Sequence, residues 1–368
     1  MPYFEPYFDP EDFKDFECSK ESEFFICIAK QGIHSFMMLG VVKDGSPKLL
    51  ARVGKASDMD PDFSSKMKTG LKAIGQGALA RLADENYSRN EGSKAVVNYQ
   101  AYSINFEQTK QFLGLIAKID NEQHKNPKIA EGIKLVFGET ERAKIQCYVP
   151  DEKPNEDKVT FKHKKISECE FLTFTGGNPS ELSRGAQQIQ ASNTCRHTAL
   201  NMVQAILGFV TDISKYFFVS PKHTTTLIAG QINKNTFYIL PPPPTAVEGL
   251  SNKQVQILNK LYKRMEEIPK SHRGDPETRA KFDALKATYK EIAGKNNLNA
   301  NDLLASITLH EEKNGITLFA KRNFLSKLLS LSSSTESMFK AIKKDLEKEK
   351  GKEQGQTPDL EKPSPSAS

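Results

Sequence analysis

The stretch FFICIAKQGIHSFMMLGVVKDGSPKLLARVGK, residues 24–55, decides how the chain folds. Its runs 24–30 and 33–42 read as strands, and the turn KDGSPK leads into a third at 49–55. Asp-Gly between two such runs is a hairpin signal. His34 lies in the first arm of that hairpin, which is apolar on both faces, as expected of a strand covered on both sides. An imidazole inside such a strand needs a reason to be there.

Outward from the hairpin, SSKMKTGLKAIGQGALARLADE (64–85) has helical spacing. KAVVNYQAYSI (94–104) reads as a strand, and NFEQTKQFLGLIAKID as an amphipathic helix capped by Asn105. Residues 120–191 look irregular, with strands at KIQCYV and KVTFKHKKI and a turn at TGGNP. TTTLIAG and NTFYIL read as strands further on. PPPP at 241–244 is a stiff, helix-incompatible spacer and a natural boundary. Beyond it the composition turns helical: one helix capped by Ser251 (Val255, Leu258, Tyr262, Met265), one closed by Gly294 (Phe282, Leu285, Tyr289, Ile292), at least one within 301–332, and ESMFKAIKKDLEKEK. The last stretch, GKEQGQTPDLEKPSPSAS, lacks apolar spacing and reads as disordered.

The 368 residues leave room for two domains. Hydrophobic residues make up 38%, with 22 Phe, 10 Tyr and no Trp, and no apolar run approaches membrane-spanning length. The acidic, aromatic start MPYFEPYFDPEDFKDFE lacks the basic and apolar regions of a secretory signal. The five cysteines (18, 27, 147, 169, 195) are odd in number and form no CxxC pair. That argues against a disulfide framework and a structural zinc site, and favours a reducing compartment. A formal charge of +6, spread as Lys/Glu mixtures, reads as solvated surface rather than a nucleic-acid footprint. No cofactor or metal motif is present, and the sequence does not specify an oligomeric state.

The chemistry centres on SNTCRHTALNMVQAILGF, residues 192–209. Ser192, Asn193 and Thr194 can each cap a helix. Ala199, Met202, Val203 and Ile206 share a face with Cys195, while His197, Asn201, Gln204 and Gly208 fall on the other. A thiol at a helix start gains thiolate character from the free N–H groups and the helix dipole. The alternative is a buried, inert cysteine. A thiol enzyme also needs a histidine on an adjacent strand and a third polar group to orient it. His34 and His223 are the two candidates.

The order of a histidine on a hairpin, a strand, a helix with EQxxxFL and then NTCxxxALxMVxxxLG resembles the circularly permuted papain-like hydrolases of the NlpC/P60 superfamily. The matching pieces are GIHSFMMLGVV, YQAYSINFEQTKQFLGLI and NTCRHTALNMVQAILG. The resemblance implies an α+β fold, with a small antiparallel sheet packed on helices over residues 1–245. It places an insertion at about 120–190, while the pattern beyond PPPP gives an α-helical domain over 246–350 and a disordered tail over 351–368. It also implies Cys195 as nucleophile and His34 as its base. Hairpin register puts residues 55–58 opposite His34; Lys55 cannot accept from an imidazole N–H, so Ser57 or Asp58 becomes the orienting residue. The Cys195 backbone N–H, aided by Asn193 or Gln188, would serve the oxyanion. The competing site, in papain order, is Cys195 with His223 and then Asn233 or Asn235.

Two functions of different class follow. One is a cysteine-dependent hydrolase or acyltransferase (peptidase, deamidase or ubiquitin-linked chemistry) acting on a protein. The other is a non-catalytic protein that binds a partner through its helical C-terminal region. The Lys/Glu-rich helices and Glu-rich, Ser-Pro tail look like those of effectors that intracellular bacteria inject through a type IVB (Dot/Icm) system. That likeness implies a host-protein substrate, delivery without a Sec signal and action in the host cytoplasm.

Overall fold

The computed structural model describes residues 13–57, 75, 77–85, 94–138, 140, 143–169, 171–228, 231–271, 274–320 and 333–354. The chain forms two compact units, Met1–Pro241 and Pro242–Ser368, divided inside the PPPP stretch. It is a mixed α+β chain whose strands pair antiparallel, apart from one short parallel contact.

In the first unit the strands are β1 (Phe16–Ser19), β2 (Phe24–Gln31), β3 (His34–Lys43), β4 (Ser46–Ala56), β5 (Ala78–Leu79), β6 (Arg81–Asp84), β7 (Lys94–Ile104), β8 (Gln146–Glu152), β9 (Lys158–Lys165), β10 (Gln188–Ile189), β11 (His223–Ile228), β12 (Gln231–Ile232) and β13 (Ile239–Leu240). The helices are α1 (Phe106–Lys125), α2 (Pro127–Phe137), α3 (Pro179–Ala186) and α4 (Cys195–Leu207). The main sheet runs β12-β11-β7-β2-β3-β4-β6, with β13 parallel to β7. The β3–β4 hairpin closes Lys43 onto Ser46 through Asp44 (φ 50°) and Gly45 (φ 70°), the left-handed pair that a two-residue turn requires. Phe25, Cys27, Phe36, Met38, Val97 and Phe237 fill one face of the sheet. On the opposite face Ser35 meets α4, whose Ala199, Met202, Val203 and Ile206 are buried together with Cys195.

The helical reading of 64–85 fails over residues 78–84. Ala78–Leu79 pairs with β10, and Arg81–Asp84 with the end of β4, so tertiary pairing overrides local spacing. Residues 58–74 and 76 lie outside the described residues. The segment 120–191 is more regular than its composition suggests. Pro127 opens α2 and Pro179 opens α3, at the first-turn position proline favours. β8 and β9 form a second sheet with β1, in the order β1-β9-β8. NTFYIL contributes only Ile239–Leu240 as strand.

The second unit is helical: α5 (Asn252–Glu267), α6 (Pro276–Ala293), α7 (Ala300–Phe319) and α8 (Ser334–Gln354). Ser251 caps α5 in a full capping box, and Gly294 stands at the C-cap of α6. The buried stripe of α5 is Ile257, Leu258, Leu261 and Met265, with Val255 and Tyr262 at its margin. α8 continues to Gln354, so the first four residues of the segment read as a disordered tail are helical, and 355–368 lie outside the described residues. No helix among the described residues is long and apolar enough to cross a membrane.

Candidate active site

Thr194 is the N-cap of α4, so Cys195 is its first residue and carries a backbone N–H that the helix itself leaves free. The neighbouring strand receives the thiol. The β3–β4 ladder begins at Phe36 opposite Gly54, which leaves Ser35 without a β4 partner. Its backbone N–H donates instead to Cys195 Sγ at 3.3 Å. The His34 side chain is the main influence that lowers the thiol. On the far side of the ring, His34 Nε2 donates to Glu85 Oε1 at 2.7 Å, which leaves Nδ1 as the nitrogen available to the sulfur. Cys195 and His34 are therefore brought together, with Glu85 as the third member.

Glu85 follows β6, whose register sets Asp84 opposite Val53 and Ala83 opposite Gly54. Gly54 thus lies between Glu85 and His34. A Cβ built on Gly54 would lie 2.9 Å from His34 Nε2 and closer still to Glu85 Oε1, so only glycine lets the carboxylate reach across the strand. From behind, α1 clamps β6 through buried Gln123, whose Oε1 accepts from the Leu82 N–H (2.9 Å) while its Nε2 donates to the Leu82 carbonyl (3.1 Å). Sequence reasoning missed Glu85 because its segment reads as helix. The available signal was a glycine inside the strand LLARVGK.

Of the two residues expected to orient the imidazole, Ser57 does not do so, and Glu85 takes that place. Ser57 follows β4 and makes no hydrogen bond to His34, and Asp58 lies outside the described residues. The papain-order site is not assembled. β11, which carries His223, is separated from β3 by β7 and β2, about 14 Å at normal strand spacing. His223 is buried edge-on against Tyr99, on the sheet face away from α4. Asn233 and Asn235 shape the turn after β12. His197 does not reach the thiol either, because its Nδ1 faces the Thr194 hydroxyl at 3.0 Å.

Electrostatics separate Cys195 from the other four cysteines. Burial pushes Cys27 and Cys147 well up and raises Cys18 and Cys169. Burial also acts on Cys195, but the His34 hydrogen bond, the His34 charge and the Ser35 N–H outweigh it and bring the thiol down to about 7. Two further cations lie nearby. Arg196, fully buried, donates from Nε to Ser35 Oγ (2.9 Å) and from Nη2 to the Val219 carbonyl (3.2 Å). Lys55, 2% exposed, is brought down by burial to about 7, while Cys195 opposes that fall.

The two side chains considered for the oxyanion differ in availability. Asn193 Nδ2 is committed to the carbonyls of Gly185 (2.8 Å) and Gln188 (3.0 Å), so it shapes the loop instead of facing a substrate. Gln188 is exposed on β10, and its amide makes no hydrogen bond among the described residues. No protein-family model matches this sequence, and no curated protein or solved structure matches it.

Proposed function

We propose that the protein is a cysteine-dependent hydrolase or acyltransferase of papain-like, permuted NlpC/P60 type, acting on a carbonyl of a protein substrate. The observation that carries this reading is the Cys195–His34–Glu85 line at the start of a helix, with the thiol lowered to about 7. Glu85 fixes the imidazole so that Nδ1 takes the Cys195 proton. The thiolate attacks the carbonyl carbon, and the negative oxygen that forms is met by the Cys195 backbone N–H and the Gln188 amide. Collapse expels the leaving group, which takes the proton from His34 and leaves a thioester. Water then completes hydrolysis, or a second nucleophile completes acyl transfer. The Lys/Glu-rich helices and the Glu-rich, Ser-Pro tail support a host protein as substrate, with delivery as a secreted effector.

Iodoacetamide labelling of the folded protein at neutral pH, read thiol by thiol by mass spectrometry, tests the reading. Cys195 is expected to react at least about tenfold faster than Cys27 and Cys147. In the non-catalytic alternative, where the helical unit docks a partner and Cys195 is core, all the buried thiols react alike.

A further inference from the structure

Lys55 reaches the start of α4 from β4. Its Nζ donates to the Asn193 carbonyl at 2.7 Å, the Gly185 carbonyl at 2.8 Å and Thr198 Oγ1 at 3.0 Å. Those three bonds use all the donors of an ammonium. Every partner is neutral, and no carboxylate pairs with Lys55 among the described residues. A buried cation is rarely left without an anion, because neutral acceptors alone do not offset its lost hydration. Arg196, on the same helix turn as Cys195, is buried in the same condition.

Cys195 lies in the turn that these contacts bracket: Lys55 holds Asn193 and Thr198 on either side of it, and Ser35, whose N–H meets the sulfur, takes Arg196 Nε on its hydroxyl. The charge of the sulfur favours the ionised form of each cation. The other charged groups nearby are already engaged. Glu85 is held on His34, Arg81 of β6 stacks over Phe137, and Asp84 accepts from the Gln146 N–H. His197 of α4 feels Lys55 only as a like charge, and Glu181 and Arg184 of α3 are exposed.

We propose that Lys55 is the buried counter-ion of the Cys195 thiolate and the tether that fixes the start of its helix, a positioning residue that does not itself touch substrate. The inference rests on the thiolate reading of Cys195 and deepens it. His34 takes the proton, while Lys55 and Arg196 keep the resulting negative sulfur stable. The tether matters for the same reason, since the Asn193 carbonyl it holds lies two residues before the nucleophile.

The test is the pH profile of Cys195 alkylation by iodoacetamide in the full-length protein, comparing wild type, Lys55→Met and Lys55→Arg. Losing the charge should move the midpoint up by about one pH unit, which lowers the rate near pH 6 about tenfold and leaves the high-pH plateau within about twofold. Lys55→Arg, which keeps the charge, should stay within about twofold of wild type throughout. A purely structural role would lower the plateau and leave the midpoint unmoved; that result, or three identical profiles, overturns the proposal. If circular dichroism shows Lys55→Met unfolded, Lys55→Gln takes its place. If both are unfolded, Lys55→Arg decides alone, and a midpoint about one unit above wild type overturns the proposal. A wild-type Cys195 no faster than the other buried thiols removes the proposed function itself, and this inference with it.

Discussion

His34 with Glu85 in the first unit, and His310 with Glu291 in the second, make the same contact: an imidazole Nε2 against a carboxylate oxygen, at 2.7 and 2.6 Å. Their surroundings differ. The Glu85 side chain is 1% exposed and that of Glu291 is 33% exposed. Glu291 also takes Lys295 from the next turn, and that bond is the main cause holding its carboxyl low. Every cysteine lies in the first unit, and the second contains none. The second pair ties α6 to α7 through a carboxylate open to water, a class of contact worth little. An imidazole–carboxylate contact therefore does not mark a site by itself. Its meaning comes from what the other ring nitrogen meets and from how dry the carboxylate is.

The comparison is broken most directly by exchanging the histidines. His34→Ala should slow alkylation of Cys195 near pH 7 by one to two orders of magnitude, because the thiol loses the partner that chiefly lowers it. His310→Ala should leave that rate unchanged. Glu85→Gln keeps the shape but removes the charge that steadies the imidazolium, and should slow the same reaction by roughly tenfold or less, whereas Glu291→Gln should have no effect.

Gly54→Val sharpens the point from the backbone side. A side chain there collides with Glu85 and His34 and should cost about 1–3 kcal/mol in urea denaturation while slowing alkylation. Stability against pH gives a further check. The folded thiol titrates near 7 and the unfolded one near 9, so between these values the unfolded chain binds more protons and stability rises with pH. That contribution is complete above the unfolded value and is lost as pH falls through about 7. Cys195→Ala should flatten the rise by about 1–3 kcal/mol. The smallest expected effect is that of Glu291→Gln on stability, under about 1 kcal/mol, because that carboxylate is a third exposed and screened by water.

Half of the site was legible from local chemistry. Asp44-Gly45 announced the hairpin that carries His34, and three capping residues before an apolar stripe announced the helix that starts at Cys195. Both signals act over a few neighbouring residues. Glu85 was not legible because ARLAD forms a strand only through pairing with the end of β4 and the Gln123 clamp, both distant in sequence. Gly54 marked the close approach without naming what approached. Lys55 is no candidate to orient His34, because an ammonium cannot accept from an imidazole. That chemistry holds, yet its position against two carbonyls and a hydroxyl around the helix start depends on the packing of α3 and α4.

The measurement that tests the central claim most directly is the pH dependence of alkylation at each of the five cysteines of the folded wild-type protein. The Cys195–His34–Glu85 arrangement predicts a midpoint for Cys195 at about 7, with the other four thiols reacting only in more alkaline solution. A Cys195 midpoint at or above about 9, the ordinary range for a thiol without an activating partner, would contradict it.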